Sequence, residues 1–296
     1  MDLIARFRRK FTFLTIISCS YMLTSLTQVL ANSPSPDLLD TIKQNGLVRI
    51  GVSPDLPGMS KRIAGKPGFE GAEASLALLI GSKLIGDAKK VELIGVDSPE
   101  RLALLQKGKI DLVIAQFTIT AERQKLVDFS VPYVIAHEAL LLPVNSKVYK
   151  LSDLIGKHIS VANGSASEQR YKRAWPGIYQ RSTNLESGGI ELLRRAEVAA
   201  WANDNTNIMG MLSVAKDRNR FRLLDVAACF PAKPFGIAIR KDNPGLLAAL
   251  NAALTEEQSK GSLKKLFAPL ALPAVKGSSA NEACRKDKYQ ITQFDR

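Results

Sequence analysis

The sequence predicts an α/β protein built of two blocks, and three observations carry that prediction. Short apolar runs alternate with segments whose apolar residues recur at helical spacing, the pattern of a mainly parallel sheet covered by helices. The rhythm breaks at residues 139–144 (ALLLPV), an extended apolar run with no helix of its own, and then restarts. A second extended run, residues 235–240 (FGIAIR), precedes two closing helices. Two α/β blocks joined by two extended runs suggest lobes connected by two crossings. Periodicity alone does not say whether the chain returns to the first block.

Each element follows from local signals. Residues 37–45 read as a helix with Leu38, Leu39 and Ile42 facing inward, stopped by Asn45-Gly46. Residues 47–52 (LVRIGV) are a strand. Residues 53–58 read as a loop, since two prolines and a glycine exclude regular structure. Ala72, Leu76, Leu79 and Ile80 then mark a helix, 91–96 a strand, 99–107 a helix ended by Gly108, and 111–115 a buried strand. In the second block, 159–162 is a strand whose loop, Asn163-Gly164-Ser165-Ala166-Ser167, opens a helix. Residues 191–195 are helical, 198–202 a strand, and Asn203-Asp204-Asn205 caps the helix that follows. Residues 221–224 form another strand. Asn243-Pro244 starts a helix through Leu254, and 260–267 gives the last one. The tail from Pro269 is polar and reads as surface.

Composition sets bounds on function. The chain has 296 residues, 46% of them hydrophobic, enough for a large core. Its net charge of +13 suits anionic ligands, an anionic membrane surface or nucleic acid. Nucleic acid is excluded as a partner, because the basic residues are scattered, with no basic run interleaved with aromatics and no zinc spacing. The two histidines, His137 and His158, have no HxxH or HExxH spacing, so no His-based metal site and no cofactor is expected. Arg6, Arg8, Arg9 and Lys10 precede an apolar stretch over 11–31 that ends Val29-Leu30-Ala31, which reads as a secretory signal peptide over 1–31 with a mature start near Asn32. Ile16-Ile17-Ser18-Cys19 offers a second reading, a lipobox with Cys19 acylated. In an oxidising compartment Cys229 and Cys284 remain, either bridged or as two idle thiols.

The stretch over residues 111–133, DLVIAQFTITAERQKLVDFSVPY, carries the chemistry. A buried strand runs into a polar turn with Thr118 and Thr120, and Arg123 follows near the start of a short helix. Hydroxyls, free N–H groups and a planar guanidinium fork at the exit of a buried strand suit a carboxylate. This stretch resembles the extracellular solute-binding proteins of family 3, the polar amino-acid receptors of bacterial ABC importers. The shared pattern is Gly-x-x-Asp, a strand, Thr-x-x-Arg, then Asp-Phe-Ser-x-Pro-Tyr, and the likeness extends more thinly from about Leu47 to about Phe267.

The resemblance implies an α/β, two-lobed periplasmic-binding-protein-like (type II) fold with two crossing segments and a ligand cleft between lobes. Lobe 1 would take 37–138 and a return segment over 235–270, lobe 2 would take 139–234, and 271–296 would be a tail. It further implies a monomeric, periplasmic receptor that captures a small polar solute, an amino acid first of all, and hands it to the membrane permease of an ABC importer. Arg123 would take the ligand carboxylate with help from Thr118 and the Gln116 backbone. Ser165 and Ala166 would complete that site from the second lobe, and Asp204 would hold the ammonium. Ser53 and Leu56 stand where the family places an Asp and a lidding aromatic, and Phe69 belongs to the same group of ligand-binding positions. The Asp the family carries after Gly-Phe is missing from Gly68-Phe69-Glu70-Gly71-Ala72-Glu73. The expectation is therefore a binding protein, not an enzyme. Its rivals are a periplasmic dehydratase on the same fold, using Glu70 or Glu168, and a ligand-sensing domain.

Overall fold

The structure is a computed structural model that describes residues 36–270 and Cys284. The expected signal peptide, the Cys19 lipobox and the rest of the tail lie outside the described residues.

Two five-stranded sheets organise the chain. The first runs in the order β5 (Val91–Gly95), β1 (Val48–Val52), β6 (Leu112–Val113), β15 (Ala238–Ile239) and β7 (Asp128–Phe129). Strand β1 is parallel to β5 and β6, whereas β15 lies antiparallel between β6 and β7. The second runs β11 (Tyr179–Thr183), β10 (His158–Ala162), β12 (Ala200–Asp204), β9 (Glu138–Pro143) and β13 (Phe221–Asp225). Its first three strands are parallel, and β9 is antiparallel to both neighbours. Strands β8 (Val134–Ala136) and β14 (Lys233–Phe235) pair antiparallel between the two sheets and are the crossings. The chain thus does return to its first sheet, the step that periodicity left open.

Helices cover the sheets where the spacing predicts them. Helix α1 (Leu38–Asn45) is capped by Asp37, whose carboxylate accepts the Leu39 N–H at 2.8 Å. The same carboxylate accepts N–H groups of Gly245 and Leu246, at 2.7 and 3.0 Å, at the start of the long late helix. Helix α2 (Ala72–Ile85) packs on β1 and β5, and α3 (Arg101–Gln106) precedes β6. Helix α4 (Ala121–Gln124) follows β6; α5 (Ala166–Ala174), α6 (Gly188–Arg194) and α7 (Asn205–Val214) serve the second sheet; α8 (Pro244–Ser259) and α9 (Ser262–Phe267) close on the first. One apolar core joins α2, α8 and β1 to Trp201 and Met211, a second fills the other lobe around Leu142, Tyr171 and Phe230, and a third lies under Phe117 and Val127. Among the described residues no helix is long and apolar enough to cross a membrane.

Expectations change at three places, the first being the crossings: residues 139–144 belong to β9 and the turn after it, and of residues 235–240 only Phe235 lies in a crossing, because the chain changes lobes before each apolar run. The loop over 53–58 contributes β2 (Asp55–Leu56) to a small antiparallel ribbon with β3 (Ser60–Arg62) and β4 (Phe69–Glu70), because the prolines flank rather than occupy the paired positions. Strand β11 has no signature in the sequence, because YQRST lies on a sheet edge with no apolar run. Cys229 and Cys284 form a disulfide, with Cα atoms 5.0 Å apart.

Candidate ligand-binding cleft

The first lobe builds its half of the cleft where β6 ends. Gln116 turns the chain there in the left-handed region, φ 47°, which strains a non-glycine residue. Glu73, in the first turn of α2, holds that turn. It is fully buried, and its Oε1 accepts the Gln116 backbone N–H at 2.8 Å and the Tyr133 hydroxyl at 2.5 Å. Its Oε2 accepts the Gln116 side-chain amide. Burial raises the Glu73 pKa from 4.5 to about 7 in spite of these donors. Between those values the folded protein keeps a proton that the unfolded chain has released, so stability falls as pH rises through the interval. Glu73→Gln is expected to flatten this decline in a plot of urea midpoint against pH. Glu138 and Glu186, also raised by burial, will keep their share of the slope. An unchanged slope in the variant would contradict the assignment.

Arg123 sits one short turn beyond. Thr120 caps α4, its hydroxyl accepting the Arg123 N–H at 3.2 Å. The guanidinium lies over Phe117, 4.4 Å from the ring centre, and donates from Nη1 to the Thr118 carbonyl at 2.8 Å. From Nη2 it donates to the Gly164 carbonyl, in the other lobe, at 2.9 Å. Arg101 stacks on the same Phe117 ring at 4.5 Å and donates to the Ala115 carbonyl at 2.5 Å. Its buried Nε has no hydrogen-bond partner among the described residues. Burial, then repulsion from Arg101, lowers the Arg123 pKa to about 9, which still leaves it charged at neutral pH.

The second lobe answers with the loop after β10. Ser165 caps α5, accepting the Glu168 N–H at 3.1 Å. Gly164 has φ +71°, and a Cβ there would stand 3.2 Å from Pro99 Cα across the cleft, so conformation and close approach both call for glycine. Thr120, Arg123, Gly164, Ser165, Ala166 and Arg170 are among the residues lining a cavity of about 420 Å³.

Asp204 ends β12 and is buried. It was expected to cap α7, but its side chain makes no cap hydrogen bond. Its Oδ1 lies instead 2.8 Å from Lys233 Nζ. Lys233, fully buried on β14, also meets Glu138 Oε2 at 2.5 Å and donates to Ser167 Oγ at 2.6 Å. Asp204 is close enough to Arg123 to raise its pKa against the effect of burial.

The remaining expected positions divide. Thr118 is buried, its backbone bridged to Phe235 at the crossing. Ser53 is buried beside Asp55, with Oγ 3.5 Å from Oδ1. Leu56 and Phe69 belong to the large apolar core, and Arg62 lies over the Phe69 ring at 4.9 Å. Arg123, Ser165 and Ala166 therefore share one cavity, with Gln116 and Thr118 on the loop that supports Arg123, whereas Leu56 and Phe69 act as packing.

The lobes are closed on one another. Besides Arg123 to Gly164, Ser98 donates to Glu186 at 2.8 Å, Asp55 accepts the Ser187 N–H at 2.8 Å, and Arg173 pairs with Glu122 at 3.0 Å. Sequence reasoning missed Glu73, Arg101, Glu138, Glu186 and Lys233. Glu73 had a signal, an acidic residue at a helix start inside an otherwise apolar pattern. For the others only burial and partners distinguish them from surface charges.

Two α/β lobes, two crossing strands and a charged cleft between them define a two-lobed periplasmic-type ligand-binding protein. The chain belongs to the bacterial extracellular solute-binding proteins, family 3, whose model matches residues 48–269. It is similar to the ABC transporter glutamine-binding protein GlnH of Bacillus subtilis, at 30% identity over 234 residues, 78% of this chain and 83% of the relative. Among solved structures it is similar to the solute receptor for L-cysteine of Neisseria gonorrhoeae, with TM-score 0.71, 26% identity, and 83% and 98% of the two chains covered. It is also similar to the ancestral amino acid-binding protein AncCDT-1, a precursor of cyclohexadienyl dehydratase, with TM-score 0.70, 27% identity, and 78% and 98% covered.

Proposed function

We propose that this protein is the receptor of an ABC importer, binding an amino acid by closing its two lobes. It acts outside the cytoplasmic membrane, as a periplasmic monomer, and delivers its ligand to the membrane permease. The observation that carries this reading is the charge arrangement of the cleft. A guanidinium from one lobe and a carboxylate from the other, Arg123 and Asp204, lie within electrostatic reach of one another. An α-carboxylate matches the first and an α-ammonium the second. Because each partner comes from a different lobe, a zwitterion favours the closed state over the open one. Gln116, Thr118, Ser165 and Ala166 frame the carboxylate end, and Ser53 stands buried beside Asp55, which joins the lobes through the Ser187 N–H.

Binding is favoured over dehydration by the state of the candidate acids. Glu70 is half-exposed on the ribbon and paired with Lys61 at 3.0 Å. Glu168 is occupied in the second lobe, accepting the Gly164 N–H at 2.9 Å and the Ser182 hydroxyl at 2.6 Å. Both carboxylates are thus engaged by protein groups, and neither is among the residues lining the Arg123 cavity. Native mass spectrometry of gently purified protein should find an intact amino acid that leaves unchanged on denaturation. Steady conversion of an added ligand to a dehydrated product would contradict the proposal.

A further inference from the structure

Lys233 has no part in the binding scheme above, yet it is among the most deeply buried charges in the molecule, with none of its surface exposed. It stands on β14, the second crossing. Its ammonium touches three groups of the second lobe: Glu138 Oε2 at 2.5 Å, Asp204 Oδ1 at 2.8 Å and Ser167 Oγ at 2.6 Å. Ser167 in turn donates to Glu138 Oε2 at 3.1 Å. Glu138 begins β9, two residues after the first crossing, β8, and Lys233 pairs in register with Ala136 of that crossing. The cluster therefore sits where both crossings enter the second lobe.

Charge bookkeeping gives the cluster a purpose. Two carboxylates buried side by side repel one another, and one would be forced to take a proton. With the lysine between them both can stay ionised without taking up a proton, and the trio then carries a net charge of −1, the complement of a single ligand ammonium. Lys233 Nζ meets Asp204 Oδ1 as an ion pair at 2.8 Å, and that buried oxygen accepts no hydrogen bond among the described residues. A buried carboxylate held by an adjacent ammonium, with hydrogen-bond capacity still unused, is placed as well as charged.

We infer that Lys233 is a positioning and specificity-determining residue: its ammonium is a built-in first cation that fixes Asp204 and leaves room for one ligand cation only. This inference rests on the reading of Asp204 as the ammonium partner. It accounts for a charged residue on a crossing strand, where pairing alone would be served by any strand-forming side chain. The site would accept amino acids with a single cation near Asp204 and reject those that bring a second.

Replacement followed by chemical rescue tests this. The propylammonium ion is the Lys233 side chain beyond Cβ. Lys233→Ala is expected to weaken binding of the cognate amino acid by about tenfold or more, and propylammonium added to the buffer should restore it saturably. 1-Propanol, of similar size but uncharged, should not. Restoration by both alike, or by neither in a folded variant, would overturn the proposal, as would wild-type affinity in Lys233→Ala. If Lys233→Ala does not fold, Lys233→Met keeps the bulk and should show the same loss; wild-type affinity in that variant would equally overturn the proposal. Thermal melting of ligand-free protein separates this proposal from the one beneath it. Propylammonium should raise the melting temperature of Lys233→Ala but not of Lys233→Ala/Asp204→Asn/Glu138→Gln. That result would stand even if the wild type bound no amino acid, and its absence would count against Lys233 alone.

Discussion

Arg123→Ala is expected to weaken ligand binding by about 2–5 kcal/mol, which is roughly thirty-fold to several-thousand-fold in affinity. The cost arises because a carboxylate in a closed cleft would lose its planar pair of donors while remaining away from water. Arg123→Lys should recover only part of the loss, since an ammonium is a point charge and cannot match two oxygens at once. The side chain also ties Thr118 to Gly164, so its removal takes away one of the bonds between the lobes. Calorimetric titration gives the affinity, and small-angle scattering of the ligand-free variant should report a more open average shape than wild type. Binding within a factor of about two of wild type would show that the carboxylate lies elsewhere.

Asp204→Asn should cost a zwitterionic ligand a similar amount, about 2–5 kcal/mol, by removing the negative charge while keeping the shape of the side chain. A deaminated analogue of the same ligand should bind wild type and variant alike. The informative quantity is the ratio of the two losses. An equal loss for both ligands would mean that the substitution disturbs the fold around Lys233, which also loses a charge partner, rather than the ammonium contact.

The two charges at the heart of these predictions were readable from the chain, and the cluster that supports them was not. Arg123 follows a buried strand and a Thr-rich turn, a local pattern that sequence displays directly. Asp204 stands between a strand and a helix, which by itself reads as a cap; its ammonium role comes from the family likeness, and its side chain makes no cap bond. Lys233 lies 29 positions beyond Asp204 on a different strand, and its meeting with Glu138 depends on the pairing of the two crossings. No spacing rule reports such an encounter. Leu56 and Phe69 lie in the apolar core instead of among the residues lining the Arg123 cavity. Leu56 stands where the family places a lidding aromatic, and a large apolar side chain gains from burial in the core that also holds Met59, Ile208 and Met211. The fold was legible wherever apolar rhythm was strong. It was hidden at β11, whose exposed polar edge has no such rhythm, and in the β2 to β4 ribbon, whose strands are only two or three residues long.

One small zwitterion is expected to be held between Arg123 of one lobe and Asp204 of the other. The most direct test is calorimetry with wild-type protein that has been unfolded, dialysed free of ligand and refolded. Titrated with each of the protein amino acids, it should bind at least one saturably with one-to-one stoichiometry, and Arg123→Ala and Asp204→Asn should each lose most of that affinity. No binding by any amino acid, or wild-type affinity in Arg123→Ala, would mean that the cleft does not hold an amino acid through these two charges.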